Sequence, residues 1–374
     1  MGNTLDAPKR DKATRTGTHM SFSFGASAMQ GWRIEMEDFH VCESLKDEIS
    51  LFCVLDGHGG TFAAEYACKN LARILCQQQA FKDYQNATTQ QQRNNKQQQR
   101  RINKNKTNLK NENHSIQLLT LALQHAFVDL DMEILLQQVG DLERVVVDQN
   151  SINEDDWDHH HVEEEYQMVE THDSSGTTLV AVLVTPHCIM CANVGDSRAI
   201  LVTHGSVVLP LSVDHSPNTH EEEERIVKAG GTVHSGRVDG ILAMSRALGD
   251  YEFKDTNLVM NNTTNKLLHA AQQKVSSLPD VVVHIRNQLE DKFIVMACDG
   301  IWDVLTNQEC TDIVKTLFEQ EGESNLGLIC EELLDTCLKR GSRDNMTAII
   351  LQFQAQNVGQ GGGVAKRRKQ RLQK

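Results

Sequence analysis

Two short apolar runs, far apart in the chain, end on the same device. Leu51 to Leu55 is a continuous run of strand-forming residues that stops at Asp56-Gly57-His58-Gly59-Gly60. Phe293 to Cys298 is another, stopping at Asp299-Gly300-Ile301-Trp302-Asp303. A continuous rather than alternating apolar run predicts a strand buried on both faces. A carboxylate at the mouth of a buried strand needs a cation or a dense set of hydrogen bonds. A turn aspartate capping a helix from Thr61 is the competing reading of Asp56 alone. Two core strands delivering Asp-Gly from their ends point to one shared site.

Other acids fall at comparable places. Gly341-Ser342-Arg343-Asp344-Asn345 precedes a final strand, Thr347 to Phe353. Gly31 to Asp38 lies between two short strands, and alternation would put Arg33, Glu35 and Glu37 on one face. Glu37 and Asp38 are then candidate outer ligands and Arg33 a candidate phosphate clamp, an exposed polar edge being the alternative. Asp196 sits in a tight turn and reads equally as a turn former. With no Cys/His cluster beside Asp56, Asp299 and Asp344, hard divalent cations, Mg²⁺ or Mn²⁺, are the expected guests. Acids gathered around such cations, with an arginine to hold a dianion, fit phosphate-ester hydrolysis best.

The 374 residues suffice for one large domain or two ordinary ones. Residues 1–20 and 355–374, both basic, are expected to be disordered, as are inserts at about 85–113 (Gln/Asn-rich) and 141–173 (acidic). Helices are expected at Thr61 to Gln78, at about Ile116 to Gln138 and at Glu221 to Ala229, with two more after Asp303. Thr177 to Leu209 reads as an antiparallel meander, and Tyr251 to Lys274 as a mobile surface segment. The ten cysteines lie mostly in apolar runs and read as reduced core thiols. Cys188 and Cys191 would face opposite sides of a strand, which disfavours a zinc pair. A net charge of −14 disfavours nucleic-acid partners. No apolar run reaches spanning length and no signal core is seen, so cytoplasmic or nuclear placement is expected. Gly2 is a candidate acylation site that would add peripheral membrane contact, although Asp6 stands where Ser or Thr is usual.

In order, the chain carries Arg33-x-x-x-Glu37-Asp38, Asp56-Gly-His-Gly-Gly, Ser175-Gly-Thr-Thr, Gly195-Asp-Ser-Arg, Ser245-Arg-Ala-Leu-Gly-Asp250, Asp299-Gly-x-Trp-Asp303 and Ser342-Arg-Asp-Asn345. This set closely resembles the protein phosphatase 2C family of metal-dependent serine/threonine phosphatases, over about residues 21–354. The resemblance implies an α+β fold, an α-β-β-α sandwich of two largely antiparallel sheets flanked by helices. It implies two metal ions bridged by Asp56, with the Gly57 carbonyl, Asp299 and Asp344 as ligands and Glu37 and Asp38 acting through water. Arg33 would bind phosphate, and His58 would protonate the leaving oxygen after attack by a metal-activated water. Asp196 and Asp303 match a weaker third metal position. The opening Met-Gly-x-x-Leu-Asp-x-Pro-Lys also resembles N-myristoylated animal members. Phosphorylated proteins are the implied partners and a monomer the expected state. The alternative is an inactive phosphoprotein-binding scaffold, disfavoured because every matched metal acid is retained. Ser216, where Lys is common, and Leu179, where a small residue is frequent, are the departures.

Overall fold

The computed structural model of the protein describes residues 4–19, 21–46, 48–98, 105–139, 173–256 and 265–372. Eleven strands build two antiparallel sheets. The first has six strands, in the spatial order β1 (Thr4–His19), β2 (Phe22–Arg33), β11 (Met346–Phe353), β10 (Phe293–Ala297), β7 (Arg198–Val202) and β8 (Val208–Pro210). The second has five, in the order β9 (Asp280–Ile285), β6 (Cys188–Val194), β5 (Leu179–Val184), β4 (Ser50–Leu55) and β3 (Phe39–Ser44). Helices α1 (Phe62–Gln77), α2 (Gln79–Gln98) and α3 (Asn105–Val139) cover the five-stranded sheet. Helices α5 (Asn307–Lys315) and α6 (Leu326–Lys339) cover the other, while α4 (His220–Lys228) belongs to a small outlying unit.

The layering explains the continuous apolar runs. Along β4, Leu51, Cys53 and Leu55 enter the core shared with α1 and α3, while Phe52 and Val54 enter the core between the sheets. Along β10, Phe293, Val295 and Ala297 face α5 and α6, while Ile294 and Met296 meet Phe52 and Val54 in the central layer. A strand with apolar material on both faces has no polar position to alternate with. Cys188 and Cys191 separate as expected, one into the helix-side core and one into the central layer.

Several expectations need correction. Thr177 to Leu209 is not one meander: β5 pairs with β6 in one sheet and β7 with β8 in the other, so the Gly195-Asp196-Ser197 turn crosses between sheets. Thr4–His19, expected to lack order, is an edge strand zipped along β2. Lys12 reaches Asp335 at 2.7 Å and Thr14 reaches Glu331 at 3.0 Å, both on α6. An open sheet edge supplies backbone partners to a polar strand that could bury nothing by itself. The described part of the 85–113 insert is helical, extending α2 and α3. Phe81 and Tyr84 dock the start of α2 in the core, and Gln, Lys and Arg propagate a helix well once it is nucleated. The basic tail also orders, as α7 (Gly363–Leu372), with Arg367 and Arg368 paired to Glu321, Glu331 and Glu332. Tyr251, Phe253 and Lys254 are buried rather than mobile. Gly2 and the acidic insert from 141 through 172 lie outside the described residues.

Candidate active site

The sandwich brings β4 and β10 side by side in its two sheets, and both deliver their terminal acids to the same end. Asp56 is held by its backbone: its N–H donates to Thr178 Oγ1 (3.3 Å), and its carbonyl accepts from Thr178 N–H (2.9 Å) and Thr177 Oγ1 (3.1 Å). Gly57 must be glycine, because a Cβ there would lie 2.5 Å from the Glu37 carbonyl oxygen. That contact packs the Arg33–Asp38 segment against the Asp56 turn.

This segment leaves the strand after Arg33, so the alternation expected for Arg33, Glu35 and Glu37 does not hold. Asn345 shapes it instead. Its amide donates to the carbonyls of Gln30 (2.9 Å) and Glu35 (3.0 Å), and its Oδ1 accepts from Glu37 N–H (2.8 Å). The Glu37 side chain then accepts from Gly60 N–H at 2.8 Å. Arg33 donates to Asp344 Oδ2 at 2.5 Å and remains 41% exposed, open to an incoming anion.

The acids are crowded and short of partners. Carboxylate oxygens of Asp38 and Asp56 and the Cys298 sulfur lie within 4.8 Å of one another. Both oxygens of Asp38, with one each of Asp196 and Asp299, are buried and accept no hydrogen bond. Burial, then the charges of Asp299, Asp38, Asp196 and Asp344, push the Asp56 carboxyl well above its ordinary range. Burial and the neighbouring Asp196 and Asp344 push Asp299 up to about 8. Asp38 rises to about 7, chiefly through burial, and Asp196 to about 6 through burial and Asp214. Four acids that resist ionising together, three of them with a buried oxygen that accepts no hydrogen bond, form a hard-oxygen set that fits divalent cations.

Asp196, Asp299 and Asp303 line a cleft of about 190 Å³ with Asp214, His215 and Trp302. Arg198 holds Asp214 through two bonds, of 2.9 and 2.6 Å. Across the site, His58 Nε2 sits 2.8 and 2.9 Å from the two oxygens of Asp250, while His58 Nδ1 is buried without a partner. Burial would lower the imidazole's pKa, but the hydrogen bond and charge of Asp250 outweigh it and leave it raised.

The structure thus gathers Arg33, Glu37, Asp38, Asp56, Gly57, His58, Asp299 and Asp344 at one end of the sandwich, with Asp196 and Asp303 in the adjoining cleft. Asp214, Asp250, Cys298 and Asn345 joined the site unannounced. Asp250 and Asn345 ended recognisable motifs, which was the available signal, whereas Cys298 read only as a core thiol.

The fold is a paired-sheet sandwich with its acids gathered at one end. Two solved Toxoplasma gondii structures share it: a serine-threonine phosphatase 2C (20% identity, 92% of this chain, 99% of that one, TM-score 0.65) and a phosphatase (20%, 94% and 98%, TM-score 0.62). At that identity they establish the fold alone. The family description "Protein phosphatase 2C" matches residues 22–166 and 149–346. Protein phosphatase ppm-1.A of Caenorhabditis elegans is 33% identical over 361 residues, 95% of this chain and 64% of that protein. Protein phosphatase 1A of Bos taurus is 33% identical over 362 residues, 94% of this chain and 76% of that protein. The chain belongs to the protein phosphatase 2C family of protein serine/threonine phosphatases.

Proposed function

We propose that this chain hydrolyses phosphoserine and phosphothreonine in proteins at a centre of two Mg²⁺ or Mn²⁺ ions. The observation that carries the reading is the set of buried, unpartnered carboxylate oxygens beside an exposed guanidinium and an imidazole with one free nitrogen. Asp56, the Gly57 carbonyl, Asp299 and Asp344 would hold the ions, with Glu37 and Asp38 reaching them through water and Asp196 and Asp303 offering a third place. Bound there, divalent cations would neutralise the acids, polarise the phosphoryl group and make water nucleophilic at neutral pH.

The remaining work falls to this chain's side chains. Arg33 binds the phosphoryl oxygens, and its bond to Asp344 fixes where the guanidinium sits. Asp250 accepts from Nε2–H of His58, so Nδ1 is the nitrogen that carries the exchangeable proton. As the ester P–O bond breaks, that proton passes to the departing seryl or threonyl oxygen, which leaves poorly as a bare alkoxide. The raised pKa keeps the imidazole protonated nearer neutrality. The overall charge of −14 disfavours a nucleic-acid substrate.

The test is turnover of a phosphothreonine peptide with Mg²⁺ or Mn²⁺, then with EDTA, beside Asp299→Asn. Activity should require the metal and fall more than about 100-fold in the variant, beyond the usual loss of an outer-shell partner. A folded protein inactive with both metals would return the chain to the scaffold reading.

A further inference from the structure

His58 is oriented by Asp250, and Asp250 has an unusual backbone. Its φ of 56° is left-handed, and its side chain fits only because residue 176 is glycine, where a Cβ would lie 2.2 Å from Asp250 Oδ2. A non-glycine residue keeps such a conformation only where its surroundings over-determine it. Here the surroundings converge on a single buried acid of α3, Asp131. Asp131 Oδ1 accepts from Gly249 N–H (2.9 Å), Lys254 Nζ (2.8 Å) and Tyr251 Oη (3.2 Å). Asp131 Oδ2 accepts from Lys254 Nζ at 2.9 Å, and its carbonyl accepts from the Tyr251 hydroxyl. Lys254 Nζ closes the loop by donating to the Ala247 carbonyl at 3.0 Å. The side chains of Asp131 and Lys254 are 2% and 0% exposed.

A buried ion pair contributes little to stability compared with apolar residues of the same volume, because both ions are desolvated. This one instead ties down residues 247, 249, 251 and 254, on both sides of Asp250. We propose that the Asp131–Lys254 pair is a positioning device for catalysis: it fixes the Ala247–Lys254 turn so that Asp250 holds His58 with Nδ1 toward the leaving oxygen. The inference rests on the reading of His58 as proton donor. It adds one residue of α3, Asp131, far from every motif, to the set that determines turnover. In the balanced step, a water oxygen bonds to phosphorus as the ester P–O bond breaks, and His58 Nδ1–H gives its proton to the departing alkoxide. Nε2–H stays on the ring, hydrogen-bonded to Asp250, and the buried Nδ1 regains a proton from water that replaces the departing alcohol.

The experiment compares kcat and KM on a phosphothreonine peptide, whose leaving group needs a proton, and on p-nitrophenyl phosphate, whose leaving group does not. Variants are His58→Ala, Asp131→Asn and the paired Asp131→Leu/Lys254→Met. The pair removes both charges, so it folds even if the single variant, with Lys254 buried alone, does not. A misplaced donor predicts a roughly 10- to 100-fold fall in kcat on the peptide, with KM little changed and a much smaller fall on the aryl ester. His58→Ala should show the same selectivity more steeply. A paired variant with wild-type kcat on the peptide, or with equal losses on both substrates beside a selective His58→Ala, overturns the positioning role alone. Equal losses in His58→Ala itself overturn the donor reading and the positioning role with it.

Discussion

Stripped of metal, the protein should become less stable as pH rises through neutrality. The cause is the acid cluster. Asp299 has its folded pKa raised to about 8 from an ordinary 3.8, with burial and neighbouring acids responsible. Between those values the folded state keeps a proton that the unfolded chain has released, so raising the pH favours unfolding. One retained proton is worth about 1.4 kcal/mol per pH unit, or about 3 kcal/mol between pH 5.5 and 7.5. For a domain of this size that is a melting point roughly 4 °C higher at the acid end. His58, also raised, adds in the same sense. Glu222, lowered to about 2 against its burial by Arg246 and Arg225, loses its contribution only as pH falls through that lower range, outside the window. The assay is thermal melting in EDTA across pH 5.5–7.5, repeated with Mn²⁺. Cation binding should reverse the trend, since deprotonated ligands bind more tightly as pH rises. Asp299→Asn, which cannot ionise, should flatten the metal-free slope and raise the melting point at pH 7.5. A metal-free melting point that is level or climbs with pH would refute the crowded-acid account, as would a slope untouched by Asp299→Asn.

Two further outcomes follow from the same geometry. Arg33→Ala removes a charged donor from the incoming phosphate, worth about 1.5–3 kcal/mol, and should raise KM for the phosphopeptide roughly 10- to 100-fold; an unchanged KM would place the phosphate elsewhere. Asn345→Ala strips three hydrogen bonds from the Gln30–Glu37 segment. It should cost about 2–4 kcal/mol in urea unfolding and weaken Mn²⁺ binding by calorimetry, whereas intact metal affinity would show that Glu37 and Asp38 hold their places without it.

The two strand-end acids were legible because burial on both faces leaves a continuous apolar run, and an acid that interrupts such a run stands out. Asp344, Glu37 and Asp38 were legible through motif order, and Cys188 and Cys191 through the two-residue period of a strand. Asp131 was not. An acid within an amphipathic helix reads as part of the solvated face, and Lys254 lay in a stretch that looked mobile. Only the packing of α3 against the Tyr251 turn turns those two exposed-looking charges into a buried pair. The two termini misled for a related reason. Composition registers how much apolar surface a segment can bury, and β1 and α7 bury little. They order on partners supplied from elsewhere: β2's free backbone edge and the acids Glu321, Glu331 and Glu332.

The sequence by itself determined the family resemblance and the identity of the acids, because each is written in local runs and short motifs, and the two-sheet sandwich followed from that resemblance alone. Tertiary structure decided which oxygens are left without donors, which imidazole nitrogen is free and what holds Asp250 in a left-handed turn. Those depend on distances between residues more than a hundred positions apart, which no local pattern records.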